Sequence, residues 1–383
     1  MQKKVLAAVI GGLLAAPAAF ADNANVTISG RIAVGWESYK LAGGNPAPAG
    51  GYHNEYRVSD QSSSLVFSGS EDIGGGLKGV FQIDNRFSPD GSAATSFGAT
   101  GNTWLGLAGG FGRIVLGRND VHYNEANVLG GLGKSSSLQS WLSPGPFSQV
   151  NGTTVGVGSR TPNLIMWDSN NMGGVTARVA YSTNPAGNEG SGRGGDGSAD
   201  GAWTAALRWS SGPLTVGGSY WDSKTEGKPT GATNNQLGDL KGLKLFAGWN
   251  LGAATVGLGY DNSEARVATN ESMTKRTAWL VPVTFKATND DTIVASFAKM
   301  GKLSGPNGSC GAACTTDSTD ATAYGVGWDH ALSKRTSVGA YYTKIDNKTN
   351  AKYNMFAIAA SGATAVAAGE DPTQLYLGIT HTY

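Results

Sequence analysis

From Val26 onward, apolar and polar side chains alternate with a period of two, in runs of about ten residues. That period belongs to strands, and that run length suits a strand tilted across a hydrocarbon layer. Within residues 202–210, Trp203, Ala205, Leu207 and Trp209 fall on one face and Thr204, Ala206 and Arg208 on the other. Trp203 and Trp209 are six residues apart, roughly 20 Å along a strand, so each can reach one interface of a bilayer. The pattern recurs. Leu243, Leu245, Ala247 and Trp249 oppose Lys244, Phe246, Gly248 and Asn250; Val175, Ala177, Val179 and Tyr181 oppose Thr176, Arg178, Ala180 and Ser182. Val256, Leu258 and Tyr260 oppose Thr255, Gly257 and Asp261, and Leu375, Leu377, Ile379, His381 and Tyr383 oppose Tyr376, Gly378, Thr380 and Thr382. Residues 104–108 and 162–168 leave their parity open.

The links between runs alternate as regularly as the runs. Short turns fall at 72–76, 109–112, 170–174, 210–213, 251–253, 288–291 and 331–335. Long polar segments lie around 40–62, 88–102, 120–160, 183–201, 222–240, 262–275, 301–320 and 347–371. Eight long and seven short links join sixteen strands. An even count brings both ends of the chain to one side, so the first and last strands can pair and close the sheet. Closure matters because hydrocarbon offers no hydrogen-bond partner to a free edge. The expected fold is all-β, a 16-stranded antiparallel transmembrane barrel with long extracellular loops and short periplasmic turns.

The first residues read as a secretory signal. Lys3 and Lys4 precede an apolar run from Val5 to Ala16, and Ala19 and Ala21 offer small residues for cleavage before Asp22. Residues 1–21 are therefore expected to be cleaved, leaving 22–383 as the barrel. No later stretch approaches the roughly 18 apolar residues of a membrane helix. Removing 1–21 takes two lysines and no acids, leaving 27 basic against 28 acidic side chains. That balance speaks against nucleic-acid binding, which needs a basic face. The 58 glycines are about twice the usual share of roughly 7 % and show no triplet period, which suits a turn-rich chain.

Candidate chemistry is sparse. Cys310 and Cys314 lie in a Gly/Ser/Asp-rich segment; a disulfide closing a tiny loop is one reading and two unpaired thiols the other. His53, His122, His330 and His381 lack ligand spacing, so no metal or cofactor is expected. Gly133-Lys134-Ser135 ends like a phosphate-binding loop, but Val128 stands where that motif needs glycine. Neither a His-Glu-x-x-His pair nor a Gly-x-Ser-x-Gly elbow occurs, and no catalytic residue is assigned.

The segment 120–160 is long enough to be functional. A barrel of sixteen strands leaves an aqueous channel, and a loop folded inward would narrow it. This one carries Asp120, Glu125 and Lys134, with Trp141 and Phe147 able to anchor it; an outward, solvated loop is the alternative. Parity puts Arg31, Lys78, Asp84, Arg86, Arg178, Arg208 and Lys244 on wet faces. Basic groups facing acidic ones across a constriction attract anions and produce a field that disfavours apolar solutes.

Residues 64–78, Ser-Leu-Val-Phe-Ser-Gly-Ser-Glu-Asp-Ile-Gly-Gly-Gly-Leu-Lys, continuing through Phe81, Gln82, Ile83 and Asp84, form a recognisable block. They resemble the second strand, turn and third-strand entry of the trimeric general porins of Gram-negative bacteria, beta-proteobacterial branch. Residues 109–119, Gly-Gly-Phe-Gly-Arg-Ile-Val-Leu-Gly-Arg-Asn, are similar to that family's turn and fifth strand. Residues 332–336 resemble a late periplasmic turn, and His381-Thr382-Tyr383 the aromatic-ended closing strand read by the barrel assembly machinery. The resemblance implies a homotrimer in the outer membrane among lipid and lipopolysaccharide, and a third extracellular loop folded into the lumen. It also implies wall arginines facing that loop, matched by Arg118 and Arg160. This chain departs from the family at Ser64 and Ser68, where an Arg and a Lys are usual. It also lacks the acidic Pro-Glu-Phe-Gly-Gly stretch in the loop, leaving Asp120 and Glu125 as substitutes, and it ends in Tyr383 rather than Phe.

The expected function is a water-filled pore for passive diffusion of small hydrophilic solutes and ions, with weak anion preference from Arg31, Arg86, Arg118 and Arg160. The alternatives are a channel selective for a sugar or carboxylate on the same barrel, an outer-membrane hydrolase, and an adhesin or plugged barrel.

Overall fold

In this computed structural model the described residues are 25–44, 54–91, 98, 100–129, 146–150, 153–154, 160–185, 201–224, 240–265, 274–305, 316–355 and 366–383. The signal segment, Lys134, Trp141, Cys310 and Cys314 lie outside them. The strands are β1 Asn25–Gly43, β2 Asn54–Asp60, β3 Ser64–Gly74, β4 Leu77–Arg86, β5 Thr103–Gly109, β6 Gly112–Asn119, β7 Gln149–Val150, β8 Thr153–Thr154, β9 Thr161–Asp168 and β10 Val175–Ser182. They continue as β11 Gly201–Ser211, β12 Leu214–Lys224, β13 Leu240–Asn250, β14 Ala254–Ala265, β15 Thr274–Lys286, β16 Asp291–Met300, β17 Ala321–Ala331, β18 Thr336–Asn347 and β19 Glu370–Thr382.

All but β7 and β8 join one antiparallel sheet that closes on itself, because β1 pairs with β19 from Arg31 opposite Thr382 to Gly43 opposite Glu370. On its other edge β1 pairs with β3 through residues 25–31 and with β2 through residues 34–40. Thus β2 and β3 are two halves of one stave, and the barrel has sixteen staves. Between the halves, Gln61, Ser62 and Ser63 face only Ile32 and Ala33, a one-residue bulge. The Asp60 carboxylate accepts from the Ser62 and Ser63 amides, and the Ser63 hydroxyl accepts from the Ala33 amide at 3.0 Å.

The burial pattern is inverted relative to a soluble protein. Leu105, Leu207, Leu245 and Leu377 are exposed on the outside, while Glu37, Lys244, Asp261 and Arg276 are buried within. Trp203 and Trp209 both face outward, each at its expected end of β11. Outer aromatics pack on one another near the loop end, with Trp36 stacked on Tyr56, Trp203 tilted against Tyr220 and Tyr260 against Trp279. The two stretches of open parity resolve the same way: Leu105 and Ile165 point out, and Leu164 and Met166 point in. The first long loop is shorter than expected. Rather than spanning 40–62, the link falls between the end of β1 at Gly43 and the start of β2 at Asn54, and the two strands pair as far as Lys40 opposite Asn54. In the turn between β3 and β4, Gly74, Gly75 and Gly76 all have φ between 62° and 88°, which a side chain would resist.

Candidate functional site

The described parts of the segment after β6 lie inside the barrel. A 3-10 stretch, His122–Leu129, packs on the inner faces of β11 to β14, and a second, Pro146–Ser148, packs on β14 to β16. Gly257 and Gly259 on β14 make the room. A β-carbon at Gly257 would come 3.1 Å from Leu129 Cβ, and one at Gly259 would come 3.0 Å from Phe147 Cζ. Alanine would crowd the loop here, and anything larger would displace it.

Under this segment lies a dry ionic cluster. Lys244 Nζ is 2.6 Å and Arg276 Nη1 3.0 Å from the Asp261 carboxylate, with all three side chains fully buried. The Ser263 hydroxyl donates to the same carboxylate at 2.6 Å. One acid therefore faces two cations. Phe147 helps satisfy the excess, its carbonyl accepting from Arg276 at 3.3 and 3.4 Å and its ring lying 5.3 Å from Lys244 Nζ. Beside it, the Ser219 hydroxyl donates to the His122 carbonyl at 3.0 Å, so His122 Nδ1–H donates to Ser219 Oγ at 2.5 Å. Burial holds the His122 imidazole well below its ordinary value, and nearby Lys244 pushes the same way against Asp261. The ring is neutral, and it faces Trp221 at 6.4 Å.

The near end of the segment is tied to the adjoining wall. Arg178 on β10 donates through Nε to Asp168 at 2.6 Å and through Nη1 to Glu125 at 2.7 Å, also reaching the Asp120 carbonyl. Arg113 on β6 takes the other oxygen of Asp168 at 2.5 Å and lies 4.7 Å over the inward Trp104 ring. Asp120 pairs with the Asn102 side chain; burial pushes its carboxyl above the ordinary range, against the pull of Arg160 and Arg86.

Most of the residues singled out in the sequence stand on the inner wall. Arg31 donates to the Ser62 and Gln61 carbonyls, clamping the bulge. Asp84 is buried and holds Arg86 at 2.8 Å, and Arg160 lies where its charge reaches Asp120. Lys78 has inner parity but is exposed beside the short turn, opposite Asp72 and Ala108, away from the entering loop. Ser64 and Ser68 share the inner face with Arg31, Arg86 and Gln82, which face them across the ladder.

Arg118 is the correction. It pairs with Thr103, while Leu116 pairs with the strongly exposed Leu105, so Arg118 shares the outer row with Leu116 and Ile114. Its Nε donates to the Arg160 carbonyl, and a groove of about 510 Å³ beside it is walled by Leu116, Pro162 and Ile165. The bulge at Gly117–Asn119 shifts the pairing toward β9 only and leaves the register with β5 intact, so the alternation is not reset. The motif resemblance put Arg118 on the lumen wall, whereas its register with Thr103, beside Leu116 opposite Leu105, puts it on the outer row.

The inner contacts not singled out include Arg113 with Asp168, Arg276 with Asp261, His122 with Ser219, and Arg57 with Glu37. Arg113 and Arg276 were open to the same parity argument, through outward Ile114 and Trp279. No group of side chains suited to a metal occurs among the described residues.

A family model for Gram-negative porins matches residues 5–350. The chain belongs to the Gram-negative porin family. The porin of Delftia acidovorans called outer membrane porin protein 32 is 26 % identical over the full length of both chains. Major outer membrane protein P.IB of Neisseria meningitidis serogroup B is 28 % identical over 48 % of this porin and 50 % of its own length, so this porin spans about half of that relative. Among solved structures, the anion-selective porin from Comamonas acidovorans superposes with a TM-score of 0.70 at 21 % identity, covering 94 % of this porin and all of that chain. This porin is therefore an outer-membrane barrel, of a family of channels.

Proposed function

We propose that this porin is a passive channel for small hydrophilic solutes and ions, constricted by the segment 120–160 and anion-preferring, and that it is not an enzyme. One observation carries the sign of the preference. Around the inward segment, carboxylates are shared: Asp168 between Arg113 and Arg178, and Asp261 between Lys244 and Arg276. With Glu125 on Arg178 the first group is balanced, while Asp261 alone faces two cations, so the wall under the segment keeps an excess positive charge, which raises anion concentration in a confined lumen. The name of the Comamonas structure, an anion-selective porin, supports the same sign. Arg31, Arg86 and Arg160 add to the field on the facing wall.

The working unit is a homotrimer seated among outer-membrane lipid and lipopolysaccharide, and its closing strand, ending in Tyr383, is the segment offered to the barrel assembly machinery. Planar-bilayer recording in a potassium chloride gradient tests the channel and its sign: the zero-current potential shifts toward that of chloride. A shift toward potassium contradicts the anion reading, and an absence of conductance from folded protein contradicts the channel. Conductance steps grouped in threes, with a threefold mass for the unheated detergent complex, test the trimer.

A further inference from the structure

Below the tie of Glu125 to Arg178, the inner wall opens into a recess of about 210 Å³. It is lined by Glu125, Asp168, Ser169, Thr176, Arg178 and Arg208, among others. Its place is the periplasmic half of the pore, because Thr176 follows the short turn before β10 and Arg208 precedes the short turn after β11.

The charges in the recess are unequal in their freedom. Arg178 is held by two carboxylates, and Asp168 is shared with Arg113. Two acids thus match two arginines, and the charge of Arg208 is left over. Among the described residues Arg208 has no hydrogen-bond or ion-pair partner, yet it is half-buried. Its neighbours across the ladder are Thr176 on one side and Gly217 on the other. Thr176 offers a hydroxyl. At Gly217 the space of a side chain is filled by the ring of Phe246, whose Cζ lies 2.5 Å from where a β-carbon would stand. Arg208 therefore has an apolar wall on one flank and a hydroxyl donor on the other. Ser169 adds a second hydroxyl, whose oxygen already accepts from the Ala177 amide, leaving its proton to donate.

A planar guanidinium fork flanked by hydroxyl donors in a sheltered niche matches a small oxyanion, because the fork gives two parallel N–H···O bonds to a carboxylate or phosphate. We propose that this recess is an oxyanion-binding subsite on the periplasmic side of the constriction, with Arg208 as its fork and Thr176 and Ser169 as supporting donors. It rests on the channel reading above and adds to it a place where a permeating carboxylate or phosphate pauses. Chloride lacks the paired oxygens and gains nothing from the fork's geometry.

The test is chloride current through the whole protein in planar bilayers, with inorganic phosphate and, separately, acetate titrated into the bath on the short-turn side at constant ionic strength. The expected result is a saturable reduction of current in the wild type. In Arg208→Gln the half-blocking concentration rises roughly tenfold, or about 1.4 kcal/mol. Arg208→Lys keeps the charge but not the fork, is the variant least able to disturb folding, and shifts in the same direction. Saturation by phosphate alone, acetate alone or both supports the subsite and says which oxyanion it takes. Wild-type current that falls only linearly with either anion overturns it, as does an Arg208→Lys channel that blocks like the wild type. Either outcome leaves the channel reading standing, whereas an absence of chloride current would remove that reading itself.

Discussion

Lys244 and Asp261 form an ion pair of 2.6 Å on neighbouring strands, and neither side chain reaches solvent. In a pore whose lumen is wet, a dry pair of this kind exists only because something covers it. The cover is the inward segment, through Phe147 and its contacts with Lys244 and Arg276. The pair is thus as much a fastening for the loop as a feature of the wall.

Removing its acid follows directly. Asp261→Asn leaves Lys244 and Arg276 buried with no counter-charge, a change on the order of 3–5 kcal/mol. A lower denaturant midpoint, together with faster proteolysis within 120–160, is the expected outcome. Unchanged cleavage would separate the cluster from the loop.

Asp120 supplies a pH dependence. Its carboxyl is raised, so in the folded channel it takes up a proton above the ordinary carboxylate range, and its contribution to stability is full below the unfolded value and is lost as pH rises through the folded one. On acidification from neutral pH, a negative charge at the start of the inward segment disappears and anion preference increases. Asp120→Asn has the stronger preference already at pH 7 and a flatter profile; zero-current potentials between pH 7 and 4 in both proteins decide this.

Gly259 leaves the space that the Phe147 ring of the loop occupies against the wall. Gly259→Val places atoms where the Phe147 ring lies, an overpacking of about 1–3 kcal/mol, while the outer face of β14 is untouched. The barrel still folds, which its migration in unheated detergent gels reads, but single-channel conductance changes as the segment is displaced. Wild-type conductance would mean that the loop does not rest on this strand.

Arg118 stands on the outer row, so Arg118→Glu leaves the zero-current potential where it was. Arg178→Glu, at the tie between Glu125 and Asp168, moves it toward cations. Equal shifts in the two variants would return Arg118 to the lumen. An arginine in the outer row costs only about 0–1 kcal/mol near an interface, which is why the position tolerates it.

Tyr383 is more than an aromatic terminus. Its hydroxyl donates to the Ser64 carbonyl at 2.9 Å and its amide donates to the Gly30 carbonyl, fastening the last residue across the seam where β19 meets β1. Tyr383→Phe keeps the ring and loses the first bond, lowering stability by about 0.5–1.5 kcal/mol. Urea unfolding in detergent reads the change.

The chain determines much of this locally. Alternation needs only neighbours, since a strand turns every second side chain to the same face. The sixteen staves, the outward Trp203 and Trp209, and the inward Lys244, Arg178 and Arg208 were therefore legible from residue order. What the tertiary structure alone decided are the contacts made across the lumen. Nothing in the sequence joins His122 to Ser219, Glu125 to Arg178, or Phe147 to Arg276, because each pair lies more than fifty positions apart. Such pairs form only once closure of the sheet has fixed the curvature of the wall and brought a loop from one side against strands of the other.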